Sequence, residues 1–224
     1  MSALPIFNEV EVRNRLEDLG VTKEQLLEVI GAAVLGRRSC TAFDPKSAPG
    51  WRSWCDGNRR LREVFVPLGW ELDEKDGIPS VINSKLGLKI TMCNTDAGTG
   101  MVDHHPQQTS KKGAATEELV NGNQYSLGGI LEEATPKVAP LSTEKIPGKV
   151  ITYYLCVYCF DEIIRAELSC PIVSSEGLFK EFIERIFVTA GNDGEGGGVP
   201  VRKQSPDGGD SDLEIPVIRK QAAL

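Results

Sequence analysis

The stretch that decides the fold is residues 150–172, VITYYLCVYCFDEIIRAELSCPI. Its first part, residues 150–160, is apolar at nearly every position, as expected for a central strand covered on both faces. Asp161 and Glu162 then supply a turn, and the residues that come after it alternate between apolar and polar. A period of two places one face of a strand on the core and the other in water. The stretch therefore predicts an antiparallel hairpin at the centre of a sheet.

Further strands are predicted on both sides of this hairpin. On its N-terminal side, turn residues separate three short β-prone runs: 70–72, 79–82 and 88–93. On its C-terminal side, residues 178–188 carry large apolar residues whose spacing fits a helix or, toward the end, a final strand. Within the second strand of the hairpin, the polar residues Arg165, Glu167 and Ser169 are expected to face water.

The front of the chain is predicted to be helical. Residues 8–18 form a weakly amphipathic segment, and a turn around Gly20 comes next. Thr22 and Gln25 have the spacing of a capping box, in which each side chain satisfies a backbone N–H of the first helical turn. Apolar residues then recur at helical spacing, and Gly36 is expected to end this second helix in a left-handed conformation.

A third helix is predicted over about residues 51–66, with Pro67 as its stop. Trp51, Trp54, Leu61 and Phe65 fall near one stripe of this helix and are expected to form its apolar side.

These elements together predict one α+β domain over residues 1–190. In it, an N-terminal helical hairpin and one further helix cover a mainly antiparallel sheet. Residues 191–224 are rich in Gly, Asp and Pro, and this composition buries too little apolar surface to offset chain entropy. We expect a flexible tail there. It ends in an apolar segment containing Ile215, Val217 and Ile218, which is typical of a docking segment or of a strand that returns to the domain.

The composition of the whole chain narrows the functional classes. The formal net charge is -7, which argues against a protein that binds the phosphate backbone of a nucleic acid over much of its surface. No stretch approaches the roughly 18 apolar residues that would span a bilayer, and the start lacks a basic and then apolar leader. A cytoplasmic protein without a membrane partner is expected, with its six cysteines reduced. Cys156 and Cys159 are three apart in a strand, face opposite ways and are interpreted as core residues.

A polar loop at residues 94–113 offers the candidate chemistry of the chain. Its carboxylates, imidazoles and amine belong to the types that bind metals, move protons or hold anions. The alternative catalytic candidates there are Asp96, Asp103, His104, His105 and Lys112. They would suit a metal-dependent hydrolase or nuclease. However, adjacent histidines do not readily aim at one ion, and the glycine-to-lysine spacing is not that of a phosphate-binding loop. A solvated loop with no metal and no cofactor is the preferred expectation.

The basic residues of the third helix offer a binding surface. They are Arg52, Arg59, Arg60 and Arg62. Arginine favours interfaces, so this face would suit an acidic partner surface or nucleic acid. A solvated face whose arginines pair with nearby carboxylates explains the same pattern equally well. The first functional expectation is therefore a non-enzymatic interaction protein, such as a subunit, regulator or inhibitor. It would bind a protein partner through this face or through the C-terminal apolar segment.

DNA binding through the N-terminal helical hairpin is a further alternative. The turn at Gly20 between two helices has the outline of a helix-turn-helix. The start of the second helix carries Glu24 and Glu28 beside Lys23, which is the wrong charge for a surface that approaches phosphates. A plain helical hairpin packed on the sheet is the favoured interpretation.

Overall fold

A computed structural model describes residues 5–108, 150–173 and 179–189. Three α-helices come first along the chain: α1 Glu9–Asp18, α2 Lys23–Arg38 and α3 Ala48–Phe65. Six strands come after them: β1 Glu71–Asp73, β2 Ser80–Asn83, β3 Leu88–Asn94, β4 Ile151–Phe160, β5 Ile163–Val173 and β6 Phe179–Thr189. Short 3-10 turns at Val66–Leu68 and Lys75–Gly77 flank β1. The tail at residues 191–224 lies outside the described residues.

The six strands form one sheet in the order β1-β2-β3-β4-β5-β6. Neighbouring strands are antiparallel except β3 and β4, which run parallel from the pair Leu88 and Ile151 to the pair Asn94 and Val157. The α+β class and the mainly antiparallel sheet are thus confirmed. The β4–β5 hairpin is confirmed as well, with Phe160 opposite Ile163 next to the turn. The central parallel pair was not predicted from the sequence.

The segment that fitted either a helix or a strand is strand β6. Its side chains have a period of two, because Glu184, Ile186 and Val188 lie on the helix side of the sheet while Arg185 and Phe187 lie on the other. β6 pairs along the outer edge of β5 through three register shifts. These irregularities blur the alternation in the sequence, which explains why the periodicity alone did not identify the strand.

The helices cover one face of the sheet. α2 packs against α3, α3 lies on β2 and β3, and α1 reaches β6. The resulting core joins helix residues such as Leu26 and Phe65 to strand residues such as Ile90, Leu155 and Leu168. The predicted capping box of α2 is present in both halves, since Thr22 N donates to Gln25 Oε1 at 2.8 Å and Gln25 N donates to Thr22 Oγ1 at 3.3 Å.

Gly36 does not end α2, and the prediction that it does so is wrong. The helix continues to Arg38 and is capped by Ser39. A Cβ at Gly36 would lie 2.5 Å from Asp56 Oδ2 and 2.9 Å from the backbone oxygen of Arg52. Glycine is therefore needed here because α2 and α3 approach each other too closely for a side chain.

Within the described helices, none combines the length and the apolar character that a membrane crossing demands.

Candidate functional site

The described part of the polar loop, residues 95–108, is a compact turn built around Asp96. The Asp96 Oδ1 atom accepts the backbone N–H of Gly98 at 3.1 Å and that of Gln107 at 3.0 Å. The chain doubles back so tightly that a Cβ at Gly98 would lie 2.6 Å from the backbone oxygen of His105. Thr99 is fully buried and shares a 2.7 Å hydrogen bond with Thr95. This part of the segment is therefore a compact turn anchored by a buried threonine, while several of its other side chains are exposed.

A buried ion pair fastens this loop to the sheet. Glu167 on β5 and Arg185 on β6 are both fully buried, at 2.9 Å between Nε and Oε1 and 2.6 Å between Nη2 and Oε2. Ser169 Oγ donates to Glu167 Oε1 at 2.7 Å, and the backbone N–H of Gly100 donates to Oε2 at 2.8 Å. Arg185 Nη1 also donates to the backbone oxygen of His104 at 2.8 Å. Each carboxylate oxygen thus accepts two hydrogen bonds.

This network corrects the prediction that Glu167 and Ser169 face water. The period of two assigned them correctly to the side of β5 opposite the helices, but the loop covers that side here. Burying two charges costs several kcal/mol per ion, and only good geometry with additional hydrogen bonds offsets it. All of these donors and acceptors are engaged with one another. The arrangement accordingly holds the loop in place, and we assign it no catalytic part.

The alternative catalytic residues are not gathered around one point. Asp96 is occupied by the turn, while Asp103, His104 and His105 are exposed. The His105 ring lies against Phe182, with ring centroids 5.4 Å apart. Lys112 lies outside the described residues. Over the described ranges, no three His, Cys, Asp or Glu side chains come together as a metal site would require. The hydrolase and DNA-binding alternatives remain predictions from the sequence.

A second polar network ties α1 to the sheet on the helix side. Arg15 on α1 contacts Glu184 on β6 at 2.6 Å from Nε to Oε1, and Tyr153 Oη donates to Glu184 Oε2 at 2.6 Å. Burial, together with nearby Cys170 and Glu184, raises the pKa of the Tyr153 hydroxyl well above its usual value. The hydroxyl therefore stays protonated and donates. This network orients α1 and does not form an open site.

The cysteines of the Cys-x-x-Cys pattern both lie in the interior. Cys159 belongs to the core beneath the helices, and Cys156 lies on the other side with Cys93, Tyr154 and Phe179. Burial and the neighbouring Cys93 thiol raise the pKa of Cys156 well above its usual value. A protonated, buried thiol is a poor nucleophile.

The four arginines predicted as a binding face are each engaged with acidic groups of this chain. Arg52 lies 3.1 Å from Asp44, Arg60 lies 2.6 Å from Glu28, and Arg62 lies 3.1 Å from Glu74. Arg59 lies 3.4 Å from Asp56 and 3.7 Å from Glu63, and it is the most exposed of the four. The face is thus a set of partly exposed ion pairs that brings both signs of charge together.

Next to these ion pairs lies a pair of exposed aromatic residues. The connection between α2 and α3 is fixed by Asp44, whose carboxylate accepts Thr41 N at 2.8 Å, Thr41 Oγ1 at 3.1 Å and the Arg52 guanidinium. The hydrogen bond from the Thr41 N–H makes the largest contribution to lowering the pKa of the Asp44 carboxyl group. Phe43 beside Asp44 is 99% exposed, and Trp51 beside Arg52 is 63% exposed.

The sequence analysis had identified only some of the residues on this surface. Trp51 was expected to pack on the apolar side of the third helix, but it lies in the first turn of a helix that starts at Ala48 and is exposed there. Phe43 was not singled out. Its signal, an aromatic residue next to an aspartate in a turn, is too common to identify a site without its exposure. We call Phe43, Trp51, Arg52 and Arg59 the α3 surface.

The described residues thus define an α+β protein, in which three helices cover one face of a six-stranded sheet with a central parallel pair. No family model matches the chain, and neither the curated proteins nor the solved structures yield a match.

Proposed function

We propose that this protein acts as a non-enzymatic interaction protein that binds another protein through the α3 surface. The observation that carries the proposal is the 99% exposure of Phe43 in a turn held by defined hydrogen bonds. A single exposed apolar residue is ordinary, but here a second exposed aromatic residue, Trp51, precedes Arg52, which contacts Asp44 beside Phe43.

The residue types fit the energetics of protein interfaces. Trp and Arg are enriched among the residues that contribute most to binding, because they combine a large contact area with directional donors. Trp51 and Arg52 are adjacent, and Arg59 lies about two helical turns farther along the same helix. An interface with a central aromatic pair and a charged rim fits this arrangement.

The charges favour a protein partner over nucleic acid. Each arginine on this face already has a carboxylate of the same chain within 4 Å, at Asp44, Asp56, Glu28 or Glu74. A phosphate backbone would meet these carboxylates as well as the arginines, and the net charge of -7 adds repulsion. A protein surface that offers both apolar contacts and mixed charges is the matching partner.

Site-specific photo-crosslinking in the host cell tests the proposal. Phe43→p-benzoylphenylalanine in the full chain should give one dominant adduct of higher mass, and mass spectrometry then identifies the attached protein. Val10→p-benzoylphenylalanine is the matched control, since Val10 on α1 is 64% exposed and lies away from the α3 surface. The adduct from position 43 should fall about tenfold when Trp51→Ser is added, because losing a buried aromatic contact costs more than 1.4 kcal/mol. Equal adducts from positions 43 and 10, or an adduct indifferent to Trp51→Ser, would contradict the proposal.

A further inference from the structure

The sheet side opposite the helices carries a second apolar surface at the end of the β4–β5 hairpin. Phe160 is 57% exposed and its cross-strand partner Ile163 is 52% exposed. The next cross-strand pair on this side is Tyr158 with Arg165, whose guanidinium lies 5.0 Å from the Tyr158 ring centre. We call these four residues the hairpin-end surface. It is separate from the α3 surface, because its side chains point away from the helices.

The chain leaves the described fold beside this surface. Thr189 ends β6 opposite Ala166, and its backbone oxygen lies 3.5 Å from the point that a Cβ at Gly100 would occupy. The Arg165 Cβ lies 3.3 Å from the same point. The end of β6 is therefore next to Arg165, and Ile163 is two residues, or about 7 Å, farther along the neighbouring strand.

Arg165 places a positive charge at this surface, with its guanidinium over the Tyr158 ring. A carboxylate is the best-matched partner of a guanidinium. The hairpin-end surface thus combines exposed apolar side chains with a cationic group.

We propose that the C-terminal segment of the same chain, residues 213–218, docks on the hairpin-end surface. This segment reads Leu-Glu-Ile-Pro-Val-Ile, and its apolar side chains match Phe160 and Ile163 while Glu214 matches Arg165. Residues 190–212 link it to Thr189 and are rich in Gly and Asp. A Gly-rich linker of about 20 residues spans roughly 25 Å, which exceeds the distance to the surface, and it supplies an effective concentration on the order of millimolar. Weak contacts suffice at that concentration.

Intramolecular crosslinking of the full-length protein tests the docking. Val217→p-benzoylphenylalanine, irradiated and digested, should yield a crosslinked peptide that contains residues 158–165. The yield should stay constant on dilution, because both reacting groups belong to one chain. Adding Ile163→Asp should lower it about tenfold, since one buried aliphatic contact is worth at least a factor of ten. Leu72→Asp is the matched control, because Leu72 on β1 is 62% exposed and lies on an edge strand, and it should leave the yield unchanged.

Ile215→Asp provides a second variant that leaves the described fold untouched, and it should reduce the crosslink as Ile163→Asp does. Hydrogen exchange of residues 213–218 should be slowed in the unaltered chain and fast in both variants. Crosslinks that require high protein concentration would assign the surface to a second copy and overturn the proposal. So would crosslinks scattered over other surfaces, or fast exchange of residues 213–218 in the unaltered chain. None of these outcomes affects the Phe43 adduct, so this proposal and the proposed function fail separately.

Discussion

At the scale of single residues, the pair formed by Glu167 and Arg185 decides how the polar loop is held. Both side chains are fully buried, so removing one charge leaves the other without its partner in a medium that solvates it poorly. Glu167→Leu alone, or Arg185→Met alone, should lower the free energy of unfolding by about 3–5 kcal/mol. The double variant should lose clearly less than the sum of the two, since no charge is then left unpaired. Urea unfolding measures all three values.

The exposed pair of Arg52 and Asp44 is the control for this experiment. It has a similar contact, at 3.1 Å, but its side chains are partly exposed to solvent. Arg52→Met should therefore cost less than about 1 kcal/mol. Hydrogen exchange adds a second readout, because Gly100 N and the His104 backbone oxygen lose their partners when the buried pair is removed. Faster exchange at residues 98–104 is expected in the Glu167 and Arg185 variants. Single variants no more costly than Arg52→Met would refute the assigned role.

At the scale of secondary-structure elements, the crossing of α2 and α3 depends on one glycine. Gly36→Ala improves helix propensity by about 1 kcal/mol, but its Cβ would lie 2.5 Å from Asp56 Oδ2 and 2.9 Å from a backbone oxygen of α3. Overpacking against backbone costs about 1–3 kcal/mol, so the variant should be destabilised overall. Gly31→Ala in the same helix is the matched control, because nothing lies within 4 Å of its added Cβ. It should be neutral or stabilising by up to about 1 kcal/mol. Thermal unfolding compares them, and equal melting temperatures would contradict the packing argument.

The elements that were predicted correctly depend on interactions between residues that are close in the sequence. The capping box at Thr22 and Gln25 uses residues three positions apart, and the β4–β5 hairpin uses a turn between two adjacent runs. The elements that were missed depend on partners far along the chain. The parallel pairing of β3 with β4 joins Leu88 to Ile151, and nothing in either strand's own pattern specifies this register.

The candidate site was less predictable than the fold for the same reason. The sequence analysis singled out Arg52 and Arg59, but it described their carboxylate partners only as nearby acidic residues. The structure identifies these partners as Asp44 and Asp56. The exposure of Phe43 results from a turn that the Asp44 side chain organises. The burial of Glu167 results from a loop that starts more than sixty residues before it, since Gly100 N reaches its carboxylate. Period-two reasoning gives the side of the sheet, and only the tertiary structure determines what covers that side.

At the scale of the whole molecule, buried cysteines report whether the strands of the sheet unfold together. Cys93, Cys156 and Cys170 lie on three different strands and are each at most 1% exposed, whereas Cys40 and Cys55 in the helical part are partly exposed. Burial also raises the pKa of Cys156 and Cys170, which keeps these thiols protonated and unreactive in the native state. A maleimide should therefore modify Cys40 and Cys55 in the folded protein and leave Cys93, Cys156 and Cys170 unmodified. As urea rises, the three should become reactive over one common transition, because they share one sheet whose strands lose their covering together. Mass spectrometry of peptides after pulsed labelling resolves each cysteine. If one of these three cysteines reacts in the native protein, or if they show three separate transitions, the sheet is not the single cooperative unit that this strand order and this core imply.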